Sequence, residues 1–287
     1  NSRLKKKINF DLKKIVCKRK IFTNPSIMGI LNMTPDSFSD GGKYNSSHKA
    51  FKHISSMIKD GADIIDVGGE STRPGARTLR DKDEWNRIKK IIKVFKKKFT
   101  NTLLSVDTRK SLVMKKCLKF KTDIINDVSG YKHDKNSIKI INKSNIWKVI
   151  HHMQGEPSNM QKNPKYKNVL LDIYDFFEKK IKFLRTLGIK HNKIFLDPGI
   201  GFGKNLKHNI TILRNISIYH SLGLPILIGI SRKRFIKDLS SNNDSAFRLG
   251  GTISSSIFTM MHGVEMLRIH DVNEVNQSIK VFKELIR

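Results

Sequence analysis

The 287-residue chain has few cysteines and lacks any long apolar run, and these two absences exclude several classes of protein. Its two cysteines, Cys17 and Cys117, form no Cys-x-x-Cys metal or redox motif and no ladder of disulfide pairs. A disulfide-rich secreted domain is therefore excluded, and a reducing compartment is expected. No stretch reaches the roughly 18 to 20 consecutive apolar residues that span a bilayer. The lysine-rich start lacks the apolar run of a secretory signal, so the sequence predicts a cytoplasmic protein with no membrane contact.

Acidic residues are scarce relative to basic ones. Asp and Glu number 25 against 56 Lys and Arg, and the formal net charge is +31. Such an excess is typical of proteins that bind anionic partners such as nucleic acids. However, the lysines occur in nearly every segment, and there is no zinc-finger spacing and no aromatic-rich RNA-binding motif. We therefore expect no nucleic-acid partner, and keep a basic nucleic-acid-binding protein as the alternative from another class.

Eight short apolar segments rich in β-branched residues are present, separated by stretches of helix length. The segments are 27–32, 64–69, 103–107, 124–128, 148–153, 194–198, 225–231 and 265–270. Nearly continuous apolar strands that alternate with helices are typical of a parallel sheet covered on both faces. Eight such units in about 260 residues predict an α/β fold, a (β/α)8 TIM barrel, as a single domain over residues 26–287. Residues 1–25 are predicted to be a short extended segment that caps the barrel.

Polar residues lie at the end of each predicted strand. They include Asn32, Asp66, Glu70, Asp107, Asn126, His151, His152, Asp197, Ser231, Lys233, Arg268 and His270. In a TIM barrel the carboxyl ends of the strands surround the active site. A single polar strand end would be explained by helix capping, but eight in succession predict a functional site.

Several generic motifs do not fit these residues. The glycine-rich stretch 199–204 lacks the residues that a phosphate loop or a dinucleotide-binding loop requires. His151 and His152 are adjacent, so in a strand they face opposite sides and do not share a metal easily. What remains is a mixed site with carboxylates and an amide on the middle predicted strands (Asp107, Asn126 and Asp197) and cations on predicted strands two, seven and eight (Arg73, Lys233, Arg268 and His270). Because buried charges must be paired or matched to ligands, this split predicts a substrate with a donor-rich part, such as an aminopyrimidine edge, and an anionic part.

Several segments of the chain also match a known family. They are GILNMTPDSFSDGG (29–42), IIDVGGESTRPGA (64–76), SVDT (105–108), INDVSG (125–130), HHMQGEPSNMQ (151–161), LDPGIGFGKN (196–205), IGISRK (228–233), LGGT (249–252) and RIHDV (268–272). With these segments the chain resembles the dihydropteroate synthases, the folate-pathway enzymes that join a pterin to p-aminobenzoate. The resemblance extends from about residue 27 to the end of the chain.

The resemblance implies a reaction and a set of site residues. The reaction would condense 6-hydroxymethyl-7,8-dihydropterin pyrophosphate with p-aminobenzoate and release pyrophosphate. The pterin would be bound by Asp107, Asn126, Asp197, Phe202, Gly229 and Lys233. The catalytic residues among these would be Asp107, Asp197 and Lys233. Pyrophosphate would be bound by Asn32, Arg73, Arg268 and His270. Asn32 would also bind the cofactor Mg²⁺. p-Aminobenzoate would be bound by Phe38, Thr72, Arg73, Pro74 and Ser231.

The resemblance implies further features and leaves one rival within the same fold. A homodimer is expected, and the loop 34–42 is expected to close over the second substrate. Arg232 is a further candidate ligand for an anion, and Arg77 and Arg234 add charge near the proposed p-aminobenzoate carboxylate. The rival is a pterin-dependent methyltransferase of the same barrel family, which shares the pterin pocket but does not require a phosphate site.

Overall fold

The structure is a computed structural model that describes residues 15–17, 20–22, 25–34, 43–72, 75–76, 78–241 and 244–286. Two short strands come first, β1 (Ile15–Cys17) and β2 (Lys20–Phe22), and they pair antiparallel. The rest of the segment predicted for residues 1–25 lies almost entirely outside the described residues. Its boundary and its capping of the barrel therefore stay predictions.

The next eight strands in the described chain form one parallel sheet. They are β3 (Ser26–Asn32), β4 (Ile64–Gly68), β5 (Leu103–Asp107), β6 (Ile124–Asp127), β7 (Trp147–His151), β8 (Ile194–Asp197), β9 (Leu227–Gly229) and β10 (Met266–Ile269). Each of these strands starts within about two residues of the start of a predicted apolar segment. The predicted segment 225–231 is the one that most exceeds its strand, because only three of its residues pair with β10.

The sheet closes on itself. Strands β3 to β8 are neighbours in chain order. On the other side of β3, the next strand is β10, and β9 lies beyond β10. The remaining gap, between β8 and β9, is closed by a parallel bridge between Leu196 and Ile226. The Leu196 amide also donates to the Pro225 carbonyl at 2.9 Å. This closed parallel arrangement confirms the predicted (β/α)8 TIM barrel.

Helices cover the outside of the barrel between the strands. They are α1 (Lys43–Lys59), α2 (Asp81–Lys98), α3 (Ser111–Leu118), α4 (Ser137–Asn142), α5 (Val169–Thr186), α6 (Leu206–Arg214), α7 (Arg234–Ser240), α8 (Leu249–Met261) and α9 (Val272–Leu285). In α2, the apolar side chains at helical spacing, such as Ile88, Ile92 and Phe95, are fully buried against the sheet. Within the described ranges, no helix combines the length and the apolar character needed to cross a membrane.

Large apolar side chains fill the amino-terminal end of the barrel. The cluster contains Met28, Ile64, Leu103, Ile124, Trp147, Val149, Phe195, Leu227 and Met266, most of them at the start of a strand. Because this end is packed, polar side chains inside the barrel are restricted to the opposite end, where the strands finish. The fold therefore places the polar strand ends around one opening.

We expect the packed end to carry a large share of the stability. Phe195 is fully buried, and its ring centroid lies 4.7 Å from that of Trp147. Replacement Phe195→Ala should lower the free energy of unfolding by about 3–5 kcal/mol, because it removes a large side chain from a closely packed site. Urea unfolding followed by circular dichroism measures this. The control Leu112→Ala, at a site that is 55% exposed, should change the value by less than about 0.5 kcal/mol. Equal losses in both variants would contradict this account of the core.

Candidate active site

The polar strand ends surround one pocket at the carboxyl end of the barrel. Its lining residues are Thr72, Asn126, Val128, His151, Asp197, Ile200, Phe202, Gly229, Lys233 and Arg268. The acidic and amide groups from the middle strands and the cations from the last strands thus meet in one place, as the sequence predicts.

Arg268, on β10, spans the mouth of the barrel and pairs with two carboxylates. Its Nε lies 2.7 Å from Asp66 Oδ2 on β4, and its Nη2 lies 2.9 Å from Asp107 Oδ2 at the end of β5. Asn126 on β6 donates its amide Nδ2 to the same oxygen of Asp66 at 3.2 Å. One cation therefore connects three strands. Asp66 was predicted only as a polar strand end, with no ligand or partner assigned to it.

Burial shifts the pKa values of Asp197 and Lys233, which line the pocket, and of Asp107, which does not line it but pairs with Arg268 beside it. It raises the pKa of the Asp107 carboxyl, and Arg268 counteracts this rise. Burial also raises the pKa of Asp197 to about 6, although the Gly199 amide donates to its Oδ1 at 2.8 Å and Lys233 is nearby. The pKa of Lys233 falls to about 8, through burial first and the charge of Arg268 second. Burial is thus the largest influence on the pKa of all three groups.

Two buried oxygen atoms near Arg268 have no hydrogen-bond partner among the described residues. They are Oδ1 of Asn126 and Oδ1 of Asp66. A buried acceptor without a partner costs roughly 1–3 kcal/mol, so such a group is expected to find a donor in the functional complex. Because Asn126 lines the pocket, a ligand that carries N–H groups can supply that donor.

A cation and aromatic rings form another wall of the pocket. Lys233 Nζ lies 4.2 Å from the centre of the Phe202 ring, a distance that favours cation–π attraction. The loop that carries Phe202 approaches the neighbouring strand end closely. A β-carbon on Gly199, whose φ is +70°, would lie only 2.0 Å from the His152 carbonyl oxygen, so glycine is required there. Lys204 is buried behind the loop and donates to the Phe202 carbonyl at 2.9 Å.

Ser231 and His270 lie side by side at the rim. The His270 amide donates to Ser231 Oγ at 3.2 Å, and its ring Nδ1 lies 3.0 Å from the same oxygen. From the sequence, His270 is predicted to be one of the cations of the site. In the structure, burial and then the charges of Arg268 and Arg232 lower its pKa to about 3, so the ring is neutral near pH 7. Arg232, a candidate anion ligand, already pairs with Asp271, its Nε lying 3.0 Å from Oδ2.

Comparisons with known proteins identify the family. A family model described as pterin binding enzyme matches residues 28–270. A dihydropteroate synthase from Escherichia coli (strain K12) is 39% identical over 259 residues, covering 90% of this chain and 91% of the relative. The chain belongs to the dihydropteroate synthase family. A second member, from Clostridium beijerinckii, is 40% identical over 262 residues, covering 91% of this chain and 94% of the relative.

Solved dihydropteroate synthase structures agree with the fold. The Yersinia pestis enzyme in complex with a sulfonamide drug has a TM-score of 0.89 at 35% identity, covering 95% of this chain and 99% of that one. The Xanthomonas albilineans enzyme in complex with 7,8-dihydropteroate has a TM-score of 0.84 at 29% identity, covering 95% and 98%. The resemblance drawn from the sequence motifs is therefore confirmed.

Asn32 ends β3 beside the carboxylate of Asp107. A β-carbon on Gly68 would lie 3.7 Å from Asn32 Oδ1 and 3.8 Å from Asp107 Oδ2, so both oxygens lie over the same glycine. Among the residues that the structure describes, no group of three or more His, Cys, Asp or Glu side chains forms a metal cluster. A single amide oxygen suits Mg²⁺, which takes one or two protein oxygens and completes its shell with water and phosphate oxygens. The residues present therefore fit this ion.

The loop after β4 is held by a buried ionic network that the predicted set did not include. Glu70 accepts from Arg109 Nε at 2.9 Å, lies 2.8 Å from Lys110 Nζ and accepts from the Leu79 amide at 2.7 Å. Arg109 also pairs with Glu156 at 2.7 Å, which ties in the loop after β7. This network anchors both ends of the loop that carries Thr72. Glu70 was visible as a polar strand end, but the sequence does not indicate its partners.

Three predicted site residues lie outside the described residues. They are Phe38, Arg73 and Pro74. Their roles stay predictions, as does the closing of the loop 34–42. Arg77 lies outside as well, and Arg234 has a side chain that is 75% exposed and lies 3.6 Å from Asp238.

We expect Arg268 to be essential for the stability of the site. Replacement Arg268→Met leaves the buried carboxylates of Asp66 and Asp107 without their cation and should cost about 3–5 kcal/mol near neutral pH. Its loss also raises the pKa of Asp107 further, so the folded variant holds a proton that the unfolded chain releases. Because burial already raises the pKa of Asp107 when Arg268 is present, the variant should lose stability relative to the wild-type chain between about pH 8 and about pH 9.

Urea unfolding at both pH values measures this effect. The exposed Arg214, at the end of α6, provides the control Arg214→Met, which should be neutral at both. A stability of Arg268→Met that rises with pH would contradict the role given to this cation.

Proposed function

We propose that this chain condenses 6-hydroxymethyl-7,8-dihydropterin pyrophosphate with p-aminobenzoate and releases pyrophosphate. The observation that carries the proposal is the division of the pocket. Buried acceptors from Asn126 and Asp197 line the same pocket as the cations Lys233 and Arg268. A pterin pyrophosphate has a matching division, because its aminopyrimidine edge donates hydrogen bonds and its other end is anionic.

The acceptor side of the pocket suits the pterin ring. The Asp197 carboxylate can accept parallel N–H groups from the aminopyrimidine edge, and Asn126 Oδ1 is a buried acceptor without a partner in the described chain. Phe202 offers an aromatic surface beside the cation of Lys233. These contacts orient the ring and supply the hydrogen bonds that the buried groups do not make with water.

The chemistry needs charge stabilisation more than proton transfer. The bond between the pterin methylene carbon and the pyrophosphate oxygen breaks, and its electron pair leaves with the pyrophosphate. Lys233 and Arg268 stabilise the negative charge, while Asp107 and Asp197 stabilise the positive charge left on the pterin. Positive charge at the leaving group is also supplied by Mg²⁺ when it is bound, with Asn32 as its protein ligand.

The second substrate completes the reaction without a strong base. The aromatic amine of p-aminobenzoate is neutral at pH 7, so its nitrogen can attack the methylene carbon directly and then lose its proton to solvent. We propose that Thr72 and Ser231 contribute to its site, together with Phe38, Arg73 and Pro74. The support is that Thr72 lines the pocket and that Ser231 lies two residues from Lys233.

An assay of pyrophosphate release tests the function. The purified chain is supplied with the pterin pyrophosphate and Mg²⁺, and release is measured with and without p-aminobenzoate. Release that requires p-aminobenzoate supports the synthase. No release, combined with methyl transfer from methyltetrahydrofolate, would instead support the rival methyltransferase.

We predict that the two carboxylates at the pterin ring matter for turnover. Asp107→Asn and Asp197→Asn should each lower turnover at saturating substrate by at least about tenfold, equivalent to roughly 1.4 kcal/mol in the barrier. The reason is that both negative charges act on the positive charge that develops on the ring. Asp175→Asn, at an exposed position of α5, is the control. Unchanged turnover in both pocket variants would refute this mechanism.

The proposed role of Asn32 predicts a change in metal dependence. Asn32→Ala should raise the Mg²⁺ concentration needed for binding of the pterin pyrophosphate by about tenfold, because it removes the protein ligand. Calorimetry without p-aminobenzoate measures this independently of activity. Binding of 6-hydroxymethylpterin, which lacks the pyrophosphate, should not change. An unaltered Mg²⁺ requirement would exclude Asn32 as the ligand.

We further propose that the chain acts in the cytoplasm as a homodimer and has no nucleic-acid partner. Exposed apolar side chains on and just after α8 and α9, among them Met261, Val281 and Leu285, support an interface between copies. Sedimentation that gives only a monomer at micromolar concentration would contradict the dimer. A gel shift that persists at physiological salt would contradict the absence of a nucleic-acid partner, since purely electrostatic binding fades steeply there.

A further inference from the structure

His151 lines the pocket but has no part in the function described so far. It is the last residue of β7, only 3% exposed, and its ring meets the Phe202 ring edge-on at 4.5 Å. Its neighbour His152 faces the other way and contacts Lys204 Nζ through Nδ1 at 3.0 Å. The two adjacent histidines therefore make different contacts, and only His151 lines the pocket.

The surroundings of His151 determine which ring nitrogen carries the proton. Nδ1 lies 2.9 Å from the carbonyl oxygen of Val128. A carbonyl oxygen only accepts hydrogen bonds, so Nδ1 must be the donor. Burial, together with the positive charges of Lys204 and Lys233, lowers the pKa of His151 well below 6.5, so the ring carries no second proton near pH 7. Nε2 is therefore a bare hydrogen-bond acceptor.

This acceptor faces another acceptor. His151 Nε2 lies 3.9 Å from Asp197 Oδ2, which is too far for a direct hydrogen bond between them. Two acceptors at this separation are matched by a donor that carries two N–H groups on one atom. A primary amino nitrogen about 2.9 Å from each acceptor bridges a separation of up to about 5 Å, so the observed distance falls within its reach.

The position of the ring is fixed from two sides. The Val128 carbonyl holds Nδ1 at 2.9 Å, and Gly199 leaves room for the adjacent ring atom Cε1. A β-carbon on Gly199 would lie 2.9 Å from His151 Cε1, closer than real contacts allow, so no larger residue leaves the ring where it is. A fixed acceptor loses little entropy on binding, which makes it suited to discriminate between ligands.

We propose that His151 Nε2 accepts a hydrogen bond from the 2-amino group of the pterin, which it shares with Asp197, and so selects 2-aminopteridines over pteridines that lack this group. The inference rests on the proposed function, because it assumes that the pocket holds a pterin. A 2-oxo ring would present a carbonyl oxygen to two acceptors and leave both without a donor. Sites built around such contacts reject analogues strongly for this reason.

Binding measurements with two ligands test this selectivity. The ligands are 6-hydroxymethylpterin and its 2-deamino counterpart, measured by calorimetry on the wild-type chain, on His151→Met and on the control His48→Met, whose side chain is exposed on α1. His151→Met should weaken pterin binding by roughly five- to tenfold, the effect of one lost hydrogen bond. Binding of the 2-deamino ligand should stay within about twofold, and His48→Met should alter neither.

The outcomes separate this proposal from the function on which it rests. Equal weakening for both ligands in His151→Met would show that the ring only packs, and no weakening would show that it makes no contact; either result overturns the proposal. Failure of the wild-type chain to bind 6-hydroxymethylpterin would overturn the proposed function itself.

A second measurement needs no variant that must fold. In ¹⁵N-labelled wild-type chain, the Nε2 resonance of His151 should move on addition of the pterin and stay in place with the 2-deamino ligand. A resonance that moves equally with both, or with neither, contradicts the proposal.

Discussion

The side chain of Arg268 connects the parts of the site that the chain supplies from distant segments. Its guanidinium reaches Asp66 and Asp107 across the mouth of the barrel, and Asn126 is attached to the same carboxylate oxygen. Two buried carboxylates so close together would repel each other and lose their hydration without this cation. The remaining pocket groups are arranged around it. Asp197 and Lys233 face the space that it leaves open, and Asn32 lies beside the carboxylate that it holds.

Burial leaves the pocket short of hydrogen-bond donors on one side. The pKa values of Asp107 and Asp197 are raised, that of Lys233 is lowered, and Asn126 Oδ1 has no partner in the described chain. The three pKa shifts have the same leading cause, which is burial away from water. A ligand that offers N–H groups to the acceptors and negative charge to the cations forms new contacts and also offsets the free-energy cost of burying these groups.

The sequence predicted the barrel well because its signal is repetitive. Each apolar strand is short and bounded by polar residues, and the same pattern recurs eight times, so an error at one boundary does not change the fold. The predicted residues Asn126, Asp197, Phe202, Lys233 and Arg268 could be assigned to one rim for the same reason, since parallel strands end together. A charged residue inside an apolar strand is a signal of a functional site, but the sequence does not indicate which partners Asp66 has there. The network of Glu70, Arg109 and Glu156 depends on loop conformations that periodicity does not describe. The neutral state of His270 also could not be predicted, because its lowered pKa follows first from burial of the ring and then from the arginines that fold around it.

The closure of the barrel has a consequence for how substrate and scaffold depend on each other. In the described chain, β8 and β9 are joined through the bridge at Leu196 and Ile226, whereas the other neighbours pair along several residues. Asp197 stands on one side of this seam and Lys233 follows the strand on the other. A ligand that contacts both residues therefore connects the two neighbouring strands that have the least pairing in the described barrel. Because such a ligand binds the folded chain, its binding energy adds to the stability of the barrel.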